Sequence, residues 1–92
     1  MGFLDKLKDI NEMRKQAKQM EMVLAEVTVV GSSSGGKIKI TTDGNQKVLS
    51  VEVAPEIAGD KSEVARHIRS ALEDLFKSHK KMLQSKFGNM MQ

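Results

Sequence analysis

The segment "KIKITTDGNQKVLSVEVAP", Lys37 to Pro55, predicts two antiparallel strands joined by a short turn. Its first part alternates polar and apolar residues, the period of a half-buried strand, with one face formed by Ile38, Ile40 and Thr42. Asp43-Gly44 follows, a dipeptide typical of hairpin turns. The second part also alternates, and its apolar face holds Leu49, Val51 and Val53. Pro55 has no N–H to donate and therefore ends the second strand.

Upstream of this hairpin, "EVTVVG" is short and rich in β-branched residues, which predicts a third strand. The three strands, over residues of about 27–54, form an antiparallel sheet with one apolar face. Such a sheet has two exposed edges, which favour aggregation unless something covers or pairs them.

The stretch "GSSSGGK", Gly31 to Lys37, matches seven of the eight positions of a phosphate-binding Walker A loop. The eighth position should supply a hydroxyl for Mg²⁺, but Ile38 stands there. A Walker A loop must also open a helix, whereas this one precedes a strand. We therefore predict a flexible loop between two strands and expect no nucleotide.

A first helix is predicted over residues of about 3–26, because apolar residues recur at intervals of four and three. The stripe that they form is taken as core or dimer contact and consists of Ile10, Met13, Ala17, Met20 and Leu24. It either covers the sheet of its own chain or pairs with a second copy. The sequence leaves both possibilities open.

A second helix is predicted over residues of about 61–85. Asp60 is a good N-cap, and Glu63 stands at the spacing of a capping box. One broad apolar face follows, made of Val64, Ala65, Ile68, Ala71, Leu72, Leu75, Phe76, Met82 and Leu83. Gly88 is a plausible end of the helix, which leaves residues 88–92 as a frayed tail.

The length indicates one small domain, residues 1–92, and the predicted helices and strands place it in the α+β class with the order α-β-β-β-α. The chain has three Phe and no Trp, Tyr or Cys, so it has little bulky material for a core. Oligomerisation is a usual remedy for such a chain. The absence of Cys excludes disulfides and fits a reducing compartment, the cytoplasm. No apolar run approaches the roughly 20 residues that span a bilayer, so no membrane partner is expected.

The side chains that carry chemistry do not form a recognisable catalytic or metal site. Neither His67 nor His79 has a second histidine four residues away or a cysteine nearby. His79 lies within an apolar arc, as a packed, hydrogen-bonded histidine does, whereas His67 adjoins Arg66 and is expected at the surface. The serines cluster in a loop, where a nucleophile is poorly held. We predict no enzyme, no cofactor and no metal.

Basic residues are more ordered than the net charge of +3 suggests. Along the second helix they occupy the face opposite the apolar stripe, and after Asp74 no acid follows. An ordinary solvated face is the plainer explanation of this pattern. A phosphate-binding surface is the alternative, with duplex DNA favoured over single strands because the few aromatic residues are scattered.

The chain also resembles the YbaB/EbfC family of bacterial nucleoid-associated proteins. The resemblance rests on "MRKQAKQM" (Met13 to Met20), on "GSSSGGKIKITTDGNQKVLSVEVAPEI" (Gly31 to Ile57) and on the acid-capped helix that follows. It covers nearly the whole chain. Two departures are Ala54, where the family commonly has Asp, and "ALEDLF", which replaces an asparagine-aspartate-alanine segment.

The resemblance implies a homodimer with protruding helical arms that binds double-stranded DNA with low or loose sequence preference, in the cytoplasm at the nucleoid. The residues expected to contact DNA are Arg14, Lys15, Lys18, Arg66, Arg69, Lys77, Lys80 and Lys81. The alternative is a protein–protein interaction scaffold without DNA binding, because seven Met residues suit an adaptable surface.

Overall fold

The computed structural model describes the backbone of residues 3–91 and the side chains of residues 9–88. Its elements, in chain order, are α1 (Phe3–Ala25), β1 (Thr28–Ser32), β2 (Ile38–Asp43), β3 (Val48–Val53) and α2 (Lys61–Met91). The predicted α+β class and the α-β-β-β-α order are confirmed. The second helix continues to Met91, beyond the end placed at Gly88, and its backbone departs from helical geometry at Phe87.

The three strands form one antiparallel sheet in the order β1-β2-β3. Its inner face carries the core, because Ile38 and Ile40 of β2 are buried with Val29 of β1. The outer face is mostly polar, with Lys39 directly across from Glu52, and it also carries Val30. The pairing of β2 with β3 shifts register between Thr41 and Thr42. The strict alternation of inward and outward side chains that we expected along β3 therefore does not hold at the start of that strand.

Helix α2 covers β1 and β2 and leaves β3 largely bare. It approaches β1 most closely at Gly31, where an added Cβ would lie 2.5 Å from the Cβ of Leu75. Ala71 and Leu75 complete the core on the helix side. Since no side chain fits at Gly31, this glycine lets the helix backbone lie directly on the strand. All four apolar side chains of β3 stay exposed, namely Val48, Leu49, Val51 and Val53.

The N-terminus of α2 is capped as the sequence predicted. The backbone N–H of Glu63 donates to the Asp60 carboxylate at 3.1 Å. The Glu63 side chain does not complete the box by reaching back. It lies beside Arg66 and His67 instead.

The loop between β1 and β2 is anchored rather than free, which differs from the flexible loop that we expected. Gly31 and Ser32 belong to β1, and a 3-10 turn spans Ser34–Gly36. The Ser33 hydroxyl is buried and accepts the backbone N–H of Ile38 at 2.9 Å. Strand β2 follows the loop, and the Lys37 ammonium bonds to the Glu56 carboxylate at 2.5 Å. Because a strand and not an α-helix follows the loop, no α-helix N-terminus is present there to bind a phosphate.

The predicted β2–β3 hairpin is present, but its loop is longer than a two-residue turn. Four residues, 44–47, separate the strands, and the positive φ of 68° falls on Gln46. The Asp43 carboxylate holds the loop by accepting the backbone N–H groups of Asn45 and Lys47, at 2.8 and 3.0 Å. Gly44 is needed for a close approach, because a Cβ there would meet the Leu24 carbonyl oxygen at 2.7 Å.

Helix α1 meets the rest of the chain at its C-terminal end only, among the described residues. There the Leu24 carbonyl accepts the N–H of Gly44, and the Glu21 carbonyl accepts the side-chain amide of Asn45. The remainder projects from the sheet, and the molecule is 64 Å long. Of the apolar stripe, Leu24 is half-buried, while Ile10, Met13, Ala17 and Met20 are exposed. The stripe thus does not cover the sheet of its own chain.

Candidate nucleic-acid interface

The basic residues of α2 project into solvent on the side away from the sheet. Arg66, Arg69, Lys77, Lys80 and Lys81 are all exposed. Glu73 is exposed on the same face, whereas the nearby Asp74 carboxylate accepts the backbone N–H of Ser32 at 2.9 Å. Through this hydrogen bond, Asp74 ties α2 to β1. One free acid is therefore left among five cations.

Arg66 differs from the other cations of this face. Its guanidinium lies 2.7 Å from the Glu63 carboxylate, and this hydrogen bond raises the pKa of Arg66 above its usual value. No ion pair involves Arg69, Lys77, Lys80 or Lys81 within the described side chains. These four are available to an external anion, while Arg66 must exchange a partner to bind one.

Helix α1 presents Arg14, Lys15 and Lys18, which are exposed and make no ion pair with another described residue. Lys18 also borders an open cavity of about 450 Å³ between the end of α1 and the hairpin loop. Lys47, in that loop, lines the same cavity. We did not single out Lys47 from the sequence, because a lysine in a turn carries no signal of its own. Only the contact of α1 with the hairpin brings the two amines to one cavity.

The lysines of the sheet are arranged differently. Lys37 is bonded to Glu56, and this contact lowers the pKa of the Glu56 carboxyl. Lys39 faces Glu52 across the strand pair. The charge of Lys37 is thus matched by an acid, whereas the helical cations without ion pairs are not. The electrostatic attraction for a polyanion lies on the helices.

Both histidines tie α2 to loops of the sheet. His79 is half-buried, and its Nε2–H donates to the Gly44 carbonyl at 3.0 Å, as a packed histidine was expected to do. The expectation for His67 was wrong. It is 7% exposed, its Nδ1 lies 2.8 Å from the Ser33 hydroxyl, and its Nε2 lies 3.6 Å from Glu63. Because Ser33 is buried and its oxygen already accepts the Ile38 N–H, this cluster anchors the β1–β2 loop.

Neither helix of the described chain has the length and apolar character needed to cross a membrane. Across the same described residues, no group of three or more acidic or histidine side chains is placed to hold a metal ion.

Comparison with known proteins identifies the family. The YbaB/EbfC DNA-binding family matches residues 1–92, the whole chain. The chain belongs to the YbaB/EbfC DNA-binding family. The resemblance noted from the sequence is thereby confirmed, and the family is defined by DNA binding and not by an enzymatic activity.

Relatives within the family carry similar names. A nucleoid-associated protein of Chlorobium phaeobacteroides strain BS1 is 30% identical over 98% of this chain and 85% of its own length. Another, of Chlorobium luteolum, is 26% identical over 97% of this chain and 82% of its own. An uncharacterized protein of Helicobacter pylori, HP0035, shares the fold, with a TM-score of 0.78 at 21% identity over 100% of this chain and 99% of that one.

Proposed function

We propose that this protein is a nucleoid-associated, homodimeric protein that binds double-stranded DNA through the phosphates. The observation that carries the proposal is a set of nine exposed cations on the two helices that have no ion-pair partner among the described side chains. We assign seven of them to the DNA contact, namely Arg14, Lys15, Lys18, Arg69, Lys77, Lys80 and Lys81, while Lys61 and Lys86 lie off the basic face of α2. Lysine and arginine that are free of carboxylates can neutralise phosphates and release counterions, which drives binding to duplex DNA. Arg66 joins this set if DNA displaces Glu63.

Low or loose sequence preference follows from the kind of contact. Phosphate contacts position a protein on DNA but carry no sequence information, and five of the eight proposed residues are lysines. Stacking on single strands requires exposed aromatic platforms. Phe76 is the one exposed Phe among the described side chains, so this part of the chain offers a single platform and not the series on which successive bases stack. The names of the relatives agree with a place at the nucleoid, in the cytoplasm.

The large solvent-accessible surface of a single chain supports a homodimer. Its accessible area is 7325 Å². A compact monomer of 10.2 kDa exposes about 5,300 Å², so about 2,000 Å² is in excess. The apolar stripe of α1 and the apolar side chains of β3 contribute to it. A second copy is the simplest cover, since most soluble oligomers are symmetric homodimers.

The test is a triple variant, Lys77→Ala, Lys80→Ala and Lys81→Ala, measured by gel shift on several duplexes over a range of salt. We expect weaker binding on all sequences and a shallower dependence on salt, because phosphate contacts are lost. The control is Lys37→Ala, Lys39→Ala and Lys61→Ala, which removes the same charge elsewhere and should change binding much less. If the two triple variants bind alike, net charge and not the α2 face attracts DNA.

The second candidate is an interaction scaffold without DNA binding, favoured by the exposed methionines of α1, Met13 and Met22. Its distinguishing result is the absence of duplex binding by the unchanged protein at low salt.

A further inference from the structure

An apolar groove runs along the boundary between α2 and β3. Beside its buried row, α2 carries a second apolar row in which Ile68 and Phe76 are exposed and Leu72 is half-buried. Val51 of β3 pairs with buried Ile40 and Val53 pairs with buried Ile38, so both valines share the inner face of the sheet. Helix α2 does not cover these two valines, which stay exposed. We call these surfaces together the α2–β3 groove.

The groove contains a cavity as well as a flat wall. An open space of about 220 Å³ lies between Val48 on the strand side and Leu72, Leu75 and Phe76 on the helix side. Thr42, Gln46 and His79 complete the lining, so the cavity is partly polar. A large apolar side chain from outside would fill the space, and Phe76, 58% exposed, would gain a neighbour.

The chain itself supplies a matching surface. Ile10, Met13, Ala17 and Met20 form a continuous row along α1, and none is buried. The row is about 15 Å long at 1.5 Å per residue. The groove is of comparable length, since β3 has six residues and extends about 20 Å. Methionine adapts to irregular gaps, so Met13 or Met20 suits the cavity.

We propose that in the homodimer the apolar row of α1 from each protomer lies in the α2–β3 groove of the other. This rests on the homodimer proposed above and specifies its contact. The exchange is reciprocal, so it closes with two-fold symmetry and leaves no unpaired copy of either surface. The surface excess of about 2,000 Å² per protomer agrees with obligate homodimers, whose interfaces bury roughly 2,000–5,000 Å² in total.

Charged side chains flank the apolar row of α1 on both sides. At about 100° per residue, Lys15 lies on the far side of α1 from the apolar row, Asp9 and Arg14 flank the row on its two sides, and Glu12 and Lys18 each lie about 120° from its centre. Docking along this row therefore leaves Lys15 and Lys18 facing outward. The DNA-binding surface then combines the α1 cations of one protomer with the α2 cations of its partner. A single protomer cannot form it.

The chain has no cysteine, so introduced cysteines report contacts without background. We would combine Phe76→Cys with one of Met13→Cys, Ala17→Cys or Met20→Cys and oxidise each double variant. The matched control is Phe76→Cys with Met22→Cys. Met22 is 67% exposed against 66% for Met13 but lies on the opposite side of α1. Disulfide formation requires Cα atoms within about 7 Å, so only true neighbours link efficiently.

We expect a covalent dimer, reversed by reductant, from at least one stripe position and not from the Met22→Cys control. Phe76→Cys alone should not link, because two grooves do not face each other in this arrangement. Linking of Phe76→Cys alone, or equal linking of stripe and control positions, would overturn the proposal. A protein that is dimeric by light scattering but links at no stripe position also overturns it, while the proposed function stands. A monomer by light scattering overturns both the exchange and the homodimer.

Discussion

Ser33 joins three parts of the chain through one buried hydroxyl group. Its oxygen accepts the N–H of Ile38 at the start of β2, and it is bonded to His67 of α2. A buried donor that loses its partner costs about 1–3 kcal/mol, because water cannot replace the bond. This makes Ser33 a structural residue inside a stretch that otherwise resembles a plain loop.

We predict that Ser33→Ala lowers the free energy of unfolding by about 1–3 kcal/mol. Its neighbour Ser34 is exposed, so Ser34→Ala is the matched control and should stay within about 0.5 kcal/mol of the unchanged protein. Urea unfolding followed by circular dichroism measures both. Equal stability of the two variants would show that the Ser33 hydrogen bonds contribute nothing net.

Gly31 offers a second test at this scale. A Cβ there would overlap the Ala71 carbonyl oxygen and the Leu75 Cβ, and neither is the flexible end of a side chain. Gly31→Ala should therefore destabilise the fold by about 1–3 kcal/mol or more, because α2 must move off β1. Gly59→Ala is the control, since nothing lies within 4 Å of the added methyl group. Thermal unfolding of the two variants gives the comparison.

The two arginines of the α2 face also differ. Arg66 is held by Glu63, whereas Arg69 has no ion pair among the described residues. Arg69→Ala should reduce duplex affinity more than Arg66→Ala, because Arg66 gives up an existing bond when it binds phosphate. Fluorescence anisotropy with one labelled duplex at fixed salt measures the ratio. A larger loss for Arg66→Ala would indicate that DNA displaces Glu63 readily.

At the scale of elements, α1 and α2 use their apolar faces differently. Helix α2 buries one row on β1 and β2 and thereby completes the core. Helix α1 is attached to the hairpin loop near Leu24 and Glu21, and its described side chains, from residue 9 onward, bury no row within the chain. A change on the α1 stripe should consequently affect assembly and leave the protomer folded.

We predict that Ala17→Asp abolishes the dimer without unfolding the protomer. The new carboxylate is solvated in a monomer but would be buried in the dimer contact, where an unpaired charge costs several kcal/mol. Light scattering should report one chain mass, with little change in helix content by circular dichroism. Gln19→Asp adds the same charge on the opposite side of α1 and should remain dimeric. A dimeric Ala17→Asp protein would place the stripe outside the interface.

At the scale of the whole molecule, the dimer doubles the basic arms. Each chain has a formal charge of +3, so two chains carry +6. Most of the exposed cations lie on the elongated helices, whereas Lys37, just before β2, is paired with Glu56. Binding should depend steeply on salt for this reason.

We predict a slope near −5 for the logarithm of duplex affinity against the logarithm of salt, if roughly six phosphates are neutralised at about −0.9 each. The slope should be nearly the same for unrelated sequences, because phosphate contacts dominate. Gel shifts at several salt concentrations measure it. A slope near zero would indicate that few phosphates are contacted.

The order of elements followed from the sequence because its causes are local. Strand alternation, the Asp60 cap and the Asp43-Gly44 turn signal each act within a few residues, and all three appear in the structure. The sequence could not show whether the apolar stripe of α1 packs on the sheet of its own chain or on another chain, since both contacts need the same apolar residues. The burial of His67 could not be predicted from the sequence either, because it depends on Ser33, which is 34 residues away in the chain. The α2–β3 groove exists only because α2 covers two of three strands, and the place of a helix on a sheet is decided by close packing at sites such as Gly31.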